Sequence, residues 1–175
     1  MRIQYEVTKQ DYIAFNINFV DTSKVMRRSI FIRRFFYPVF FLAAASLLES
    51  VFNVPIAFLL VVVAVMSAVW VLYYVKWFKR SVVKKVEKML DSGKITGLIG
   101  SHELELGEGH LTDTTRESYT RYESVEKIIA TETHIFVYVS QVMAYIIPKH
   151  TFKTQEEIEL FIEKLETYKV TTKMK

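Results

Sequence analysis

The chain has 175 residues, no cysteine, and a formal net charge of +4 that is unevenly distributed. Residues 1–34 carry seven basic and three acidic side chains, residues 76–94 carry seven and two, residues 35–75 hold only Glu49, and residues 95–175 carry nine and thirteen. The lack of cysteine excludes disulfides, thiolate metal sites and a cysteine nucleophile. The positive charge flanks an apolar region, which is typical of a membrane protein and does not indicate nucleic-acid binding.

Residues 1–34 predict a cytoplasmic strand followed by an amphipathic helix. Ile3–Val7 has strand composition, and Thr8 with Asp11 three residues later has the pattern of a helix N-cap followed by a carboxylate near the positive end of the helix dipole. The helix is predicted over residues 9–20. One apolar face is formed by Tyr12, Phe15 and Phe19. That face has two interpretations: it packs on the cytoplasmic domain, or it lies against lipid headgroups. Three acidic side chains in the first thirty residues argue against a cleaved signal peptide.

Residues 35–75 predict a transmembrane helical hairpin. Two apolar stretches, residues 35–52 and 54–75, approach or exceed the length needed to cross about 30 Å of hydrocarbon at about 1.5 Å per residue. Only Glu49–Pro55 is available for the turn, so the helices are expected to be antiparallel neighbours with Glu49 at the far interface. The alternative is a hydrophobic hairpin buried in a soluble core, but a chain of this length could hardly cover two helices that are apolar all round.

The charges around the hairpin predict its orientation. Basic residues precede the first span and follow the second, whereas the turn has none. By the positive-inside rule, both termini are expected in the cytoplasm of a bacterial cell, with the chain crossing the cytoplasmic membrane twice. The orienting residues are Arg27, Arg28, Arg33, Arg34, Lys76, Lys79, Arg80, Lys84 and Lys85. Residues 76–94 keep helical periodicity as a basic juxtamembrane helix that Gly93 is expected to end.

Residues 95–175 predict a β-rich cytoplasmic domain. Short runs of β-branched and aromatic residues separated by turn signals predict strands at Gly97–Leu106, His110–Thr115, Ser118–Tyr122, Val125–Thr131, His134–Val139 and Met143–Ile147. A final amphipathic helix follows Thr154, with an apolar stripe at Ile158, Phe161, Ile162 and Leu165. The predicted fold class is therefore an α+β membrane protein: a two-helix transmembrane hairpin plus a small antiparallel β domain capped by a C-terminal helix.

Several segments resemble the YcxB-like proteins of bacteria. They are QYEVTKQDYIAFNINF near the N-terminus, the hairpin ELELGEGHLTDTT, the block RYESVEKIIATETHIFVYVSQVMAYIIPKHTF and the ending EEIELFIEKL. The element from Ile146 to Phe152 is the most specific, because the family has a similar Ile-Pro-(Lys/Arg) sequence there. Tyr122 stands where relatives often have Trp and is expected to fill the same packing role. The resemblance implies a pleckstrin-homology-like domain of about six or seven strands, and it implies little about activity.

The sequence contains no recognisable catalytic or metal-binding pattern. The four histidines, His102, His110, His134 and His150, have no second ligand at metal spacing and are expected at the surface or at strand ends. Nucleophile-elbow, phosphate-loop and dinucleotide motifs are absent. Carboxylates at positions 103, 105 and 108 are best explained as a solvated strand face. No cofactor is expected.

Two groups of basic residues are candidates for binding a headgroup or a partner. One group is Arg116, Arg121 and Lys127 on the middle strands. The other group is Lys149, His150 and Lys153 at the junction of the last strand and helix. Either group would contact phosphates if it faced the membrane, and ordinary surface charge is the alternative.

These observations favour a membrane-anchored, non-enzymatic adaptor or regulatory protein. Its partners would be the lipid bilayer, an unknown protein and an anionic lipid headgroup at the inner leaflet, and not nucleic acid. An oligomeric transport or immunity-type membrane component is the alternative, although the spans lack the charged residues that mark conduction paths. A lipid-acting enzyme is a further alternative, with Asp113, Glu117, His134 or His150 as acid–base groups.

Overall fold

The computed structural model describes residues 1–52, 55–93, 97–107 and 109–173. The chain forms two compact units. A sheet unit consists of Met1–Asn16 together with Val86–Lys175, and a hairpin unit consists of Ile17–Lys85. The described chain is α+β, with four α-helices and two antiparallel sheets.

The first sheet has four strands in the order of the chain. They are β1 (Arg2–Val7), β2 (Gly100–Leu106), β3 (His110–Asp113) and β4 (Ser118–Arg121). In β1 and β2 exposed and buried side chains alternate, as expected of strands with one wet face. Ile3 is paired with Leu104 across the two strands. The N-terminal strand predicted from sequence therefore completes a sheet whose other strands follow the hairpin about ninety residues later in the chain.

The second sheet has three strands. They are β5 (Lys127–Ala130), β6 (His134–Tyr138) and β7 (Ala144–Pro148), with β6 in the centre. All five residues of β6 are buried, so both faces of the central strand are covered. All six strands predicted after residue 95 are present; β2 to β6 are shorter than predicted, and β7 is shifted by one residue. For example, β3 ends at Asp113 rather than Thr115, because the Asp113 Oδ1 accepts hydrogen bonds from the backbone N–H groups of Thr115 and Arg116 and turns the chain.

The last helix, α4 (Gln155–Lys173), covers the core of the sheet unit. Its stripe of Ile158, Phe161 and Leu165 is buried, and Phe161 is fully inaccessible. Thr154 is the predicted N-cap, and its Oγ1 accepts the Glu157 backbone N–H at 3.2 Å. The fully buried residues of both sheets include Leu104, Leu111, Ile135, Val137 and Ile147.

The first helix, α1 (Lys9–Thr22), begins in the sheet unit and confirms the predicted cap. The Thr8 N–H donates to Asp11 Oδ2 at 2.7 Å, and the Asp11 N–H donates to Thr8 Oγ1 at 3.3 Å, which is a reciprocal capping box. Phe15 packs on Phe136 and Tyr138, with ring centroids 5.9 and 5.7 Å apart. Of the two interpretations of the aromatic face, the structure therefore shows packing on the β-rich region for Phe15.

Two long helices form most of the hairpin unit. They are α2 (Lys24–Phe52), which contains Pro38, and α3 (Ile56–Asp91). The second predicted span and the predicted basic juxtamembrane helix are thus one continuous helix, which ends just before Gly93 at φ 65°. Val54, the predicted first residue of the second span, lies outside the described residues. Lys94, the last residue of the predicted basic segment, also lies outside them.

Both long helices are long and apolar enough to cross a membrane. Only 6% of the most apolar 18-residue window is buried in each helix. The helices contact each other near their basic ends, where Tyr37 packs on Trp70 at 4.8 Å between ring centroids. There the buried side chains of Val20, Ile30 and Tyr74 form a small apolar cluster with Trp70, Val75, Phe78 and Val82.

Candidate functional site

A buried polar cluster lies inside the sheet unit between β1, β2 and the turn after β3. His102 is 4% exposed and Asp113 is fully buried, and they are joined by Tyr5 and Arg116. Period-two alternation positions them, because His102 lies on the same face of β2 as Leu104 and Leu106. The expectation that His102 is at the surface is therefore wrong. Reading Glu103 and Glu105 as the wet face already implied that His102 faces the core.

The geometry of this cluster is close but incompletely hydrogen-bonded. His102 Nδ1 lies 3.3 Å from Asp113 Oδ2, and neither atom has a well-aligned hydrogen-bond partner among the described residues. Arg116 donates from Nε to the Gly97 carbonyl at 2.7 Å, and this Nε is 3.6 Å from Asp113 Oδ2. Arg116 is exposed, but these contacts hold its guanidinium against the turn that follows β3.

Burial and charge decide the protonation states in the cluster. Burial, together with the Arg116 guanidinium, lowers the pKa of His102, although the Asp113 carboxylate acts in the opposite direction. Burial, reinforced by Asp113, raises the pKa of Tyr5. At neutral pH the cluster therefore holds a neutral imidazole and a neutral phenol around one ion pair. This arrangement fixes the β3–β4 turn on the first sheet.

A second histidine–carboxylate pair connects α1 to the second sheet. His134 Nε2 and Asp11 Oδ1 are 2.8 Å apart, and His134 Nδ1 is 2.8 Å from Thr133 Oγ1. Burial acts to raise the pKa of Asp11, but hydrogen bonds from Thr8 and His134 outweigh it and lower the pKa. His134 is 8% exposed and is the first residue of β6, so of the two predicted positions, surface or strand end, it occupies the strand end. The sequence signal for Asp11 was its capping position, which gives no hint of a partner 123 residues away.

A Thr–His–Asp chain also has the residue types of an activated nucleophile. Here both ring nitrogens of His134 and both carboxylate oxygens of Asp11 already have partners within the sheet unit. The same loop is tied to the following segment, because the Lys149 N–H donates to the Thr133 carbonyl at 2.8 Å. The chain of bonds thus joins α1, β6 and the start of the junction after β7.

Tyr122 forms the centre of the packing between the two sheets and α4. It is fully buried in a short 3-10 turn (Tyr122–Ser124), stacks on Tyr168 at 5.1 Å between centroids, and donates its hydroxyl to the Gly107 carbonyl at 3.2 Å. Burial raises the pKa of its hydroxyl. The packing role expected of Tyr122 is the one observed.

The elements between the turn at Gly109 and the middle of α4 are similar to a known protein family. Residues 108–165 match the family model described as YcxB-like protein. The match confirms the resemblance proposed from sequence over β3 to β7 and most of α4. Its first residue, Glu108, lies outside the described residues. No curated protein and no solved structure matches the chain.

The structure separates the candidate basic residues of the YcxB-like region. Arg116 is exposed beside the buried cluster, and Arg121 is exposed at the end of β4 in a shallow depression with His110, Tyr119 and Glu123. Lys127 begins β5, and its ammonium lies 4.3 Å from the centre of the Tyr138 ring. These three residues therefore occupy three different environments.

The other three candidates are neighbours at the end of the YcxB-like sheet. Lys149 and His150 form a 3-10 turn with Thr151 directly after β7, and Lys153 precedes α4. His150 and Lys153 are exposed, and the Lys153 N–H donates to Glu157 Oε2 at 2.8 Å. The structure thus keeps this junction together on the surface.

Glu103 and Glu105 are on the outer face of β2, where Glu103 accepts hydrogen bonds from Arg2 and Gln4.

A groove lies between β5 and α4. It is lined by Ile128, Glu166, Lys169 and Val170. β5 is an edge strand of its sheet, and Lys169 connects the helix to the strand side by donating to the Glu126 carbonyl at 2.8 Å. Val170 is 52% exposed. Sequence analysis missed this groove because it depends on how α4 crosses the second sheet.

Proposed function

We propose that the protein is a membrane-anchored, non-enzymatic adaptor that crosses the bacterial cytoplasmic membrane twice. Both termini lie in the cytoplasm, and the sheet unit is a pleckstrin-homology-like domain that holds a protein partner at the inner leaflet. The observation that carries the proposal is the 6% burial of the most apolar window in each long helix. A core helix of a soluble protein would be mostly buried, whereas these helices leave their apolar side chains for lipid.

The chain order supports the anchoring. The hairpin is inserted between β1 and β2, which are hydrogen-bonded neighbours in one sheet. Since β1 precedes the hairpin and β2 follows it, the chain leaves the sheet unit for the hairpin and returns to the same unit. The four-strand and three-strand sheets followed by α4 agree with the strand number and closing helix expected of a pleckstrin-homology-like domain.

The groove between β5 and α4 supports the adaptor role. An extended segment of a partner can add to an exposed sheet edge through main-chain hydrogen bonds, while side-chain pockets supply specificity. Ile128 and Val170 offer apolar contact beside the edge of β5, and Glu166 adds a carboxylate to the lining. These are the elements that such recognition requires.

The structure gives no specific support to a pore. The hydroxyl of Ser46, which lies inside the first predicted span, donates to the Leu42 carbonyl of its own helix at 3.3 Å. A hydroxyl satisfied in this way does not mark a polar path.

Photo-crosslinking in living cells tests the adaptor role on the intact chain. A photoreactive amino acid at Val170 lies in the groove, and the same amino acid at Leu160 is a matched control on the same helix with 46% exposure. We expect a discrete crosslinked species from position 170 that is weak or absent from position 160, and that Ile128→Lys removes. Equal crosslinking at both positions would contradict the groove. Turnover by the purified protein that one substitution in the sheet unit abolishes would contradict the non-enzymatic part.

A further inference from the structure

A second candidate site lies in the hairpin unit, where α1, α2 and α3 meet near the basic ends of the long helices. An open groove there, called the arginine groove below, is lined by Val20, Asp21, Arg27, Arg28, Ile30, Phe31, Arg34 and Val75. Three of its eight residues are arginines. All three are among the residues expected from sequence to orient the hairpin.

The arginines are arranged to act together. Arg27 and Arg34 are seven residues apart on α2, which places them on the same helix face about 10 Å apart along the axis. Arg34 is partly buried, and its Nε donates to the Val71 carbonyl of α3 at 2.8 Å. This bond fixes the plane of the guanidinium in advance, so less side-chain entropy is lost when the other edge of the fork contacts an anion.

The acidic residue in the groove does not cancel this charge. Asp21 forms an ion pair with Lys79 at 2.6 Å, and Lys79 lies outside the groove lining. Its carboxylate is thus already matched by an ammonium, and the three guanidinium groups remain as the excess charge. Planar guanidinium groups favour phosphate and carboxylate oxygens, which they contact through two parallel hydrogen bonds.

The rest of the lining is apolar and continuous with the first long apolar stretch. Val20 and Ile30 are buried under the groove, whereas Phe31 is 63% exposed. The Phe31 ring contacts that of Phe35, itself 44% exposed, at 4.9 Å between centroids. A soluble phosphate gains no apolar contact from this aromatic strip, whereas acyl chains attached to a phosphate pack against it.

We propose that the arginine groove binds the headgroup phosphate of an anionic phospholipid, whose acyl chains lie along Phe31 and Phe35. The inference rests on the proposed membrane anchoring. It adds a specific lipid contact to what would otherwise be a general attraction between basic residues and the inner leaflet.

Charge-preserving substitutions separate binding from orientation. Lysine satisfies the positive-inside rule as arginine does, but it does not reproduce a fixed bidentate fork. The groove variants are Arg27→Lys/Arg34→Lys and Arg27→Lys/Arg28→Lys, the second of which leaves the Arg34 bond to Val71 intact. The matched control is Arg33→Lys/Arg80→Lys, since both control residues are exposed and lie outside the groove lining.

The assay uses intact protein reconstituted in nanodiscs of equal phosphatidylglycerol and phosphatidylcholine. Lipids retained by the protein after partial delipidation are counted by mass spectrometry. We expect the wild-type protein and the control to retain phosphatidylglycerol in preference to phosphatidylcholine. In both groove variants the ratio of retained phosphatidylglycerol to retained phosphatidylcholine should fall about fivefold, which corresponds to the loss of one cationic contact with an anionic lipid surface. An unchanged preference in the groove variants, or an equal loss in the control, would overturn the proposal.

Two further readouts distinguish the ways in which the proposal can fail. Glycerol phosphate added in solution should not displace the retained lipid, and displacement would show that the groove takes a soluble phosphate instead. Resistance to alkaline carbonate extraction is measured on every variant in cell membranes. If the wild-type protein itself is extracted, the proposed anchoring fails; if all variants resist extraction and retain the lipid equally, only the arginine groove fails.

Discussion

Removing the Asp11 carboxylate should destabilise the second sheet although Asp11 lies on α1. In the Asp11→Ala variant, His134 Nε2 loses its partner at 2.8 Å and the Thr8 N–H loses its acceptor at 2.7 Å. A hydrogen bond to a charged group contributes about 1.5–3 kcal/mol, and an ordinary bond contributes about 0.5–1.5 kcal/mol. The expected loss is therefore about 2–4 kcal/mol, because His134 is buried and water replaces its partner poorly.

Amide hydrogen exchange of β6 in the intact protein in detergent measures this loss directly. A loss of about 2–4 kcal/mol raises the exchange rate by roughly 30- to 700-fold, since about 1.4 kcal/mol corresponds to a factor of ten. The matched control is Asp91→Asn, which removes an exposed carboxylate that also pairs with α1, through Lys9. An exposed pair contributes little, so the control should change β6 exchange less than about fivefold. Exchange in Asp11→Ala within threefold of the wild-type rate would refute the reasoning.

Three other predictions address the core, the pH dependence and the hairpin. Because burial lowers the pKa of His102, the folded state disfavours its protonation, so the stability of the sheet unit should be full above pH 6.5 and should fall as the pH drops below it. The stability is measured by urea titration, in which unfolding is followed by labelling of a cysteine in a Val137→Cys background. The His102→Gln substitution should reduce the dependence of this stability on pH. In the same titration, Tyr122→Phe should lower the free energy of unfolding by about 1 kcal/mol, because the hydrogen bond to the Gly107 carbonyl is lost. Tyr122→Ala should lower it by about 3–5 kcal/mol, because it leaves a cavity. Equal losses in the two variants would contradict the packing role. Ala45 is 2% exposed, so Ala45→Leu should lower the free energy of unfolding of the hairpin in SDS by about 1–3 kcal/mol, measured from helicity by circular dichroism. Ala64 is exposed, so Ala64→Leu should leave this free energy unchanged.

The sequence predicted most secondary structure because local signals were strong. Runs of β-branched and aromatic residues between turn signals located the strands, and Thr8, Thr154 and Gly93 marked helix ends that the structure confirms. The apolar lengths of α2 and α3 were equally clear. What the sequence missed is non-local. The pairing of β1 with β2 spans about a hundred residues, and the bond between Asp11 and His134 spans 123.

The candidate sites were less predictable than the fold. Basic residue type alone grouped Arg116 with Lys127, whereas Arg116 closes a turn over Asp113 and Lys127 lies on the Tyr138 ring. The grooves beside β5 and α2 depend on how helices cross their neighbours, which no local pattern encodes. The arginines of α2 were noticed in sequence, but their shared groove with Phe31 and Val75 required the structure.

The central claim is that lipid surrounds the two long helices and that both termini are cytoplasmic. The absence of cysteine from the chain makes single-cysteine labelling clean. In intact cells stripped of any outer barrier, a membrane-impermeant maleimide should label Glu49→Cys, at the turn end of α2, and should label Lys153→Cys in the sheet unit only after the membrane is opened. Labelling of Lys153→Cys before opening, or recovery of the intact protein in solution without detergent, would contradict the account.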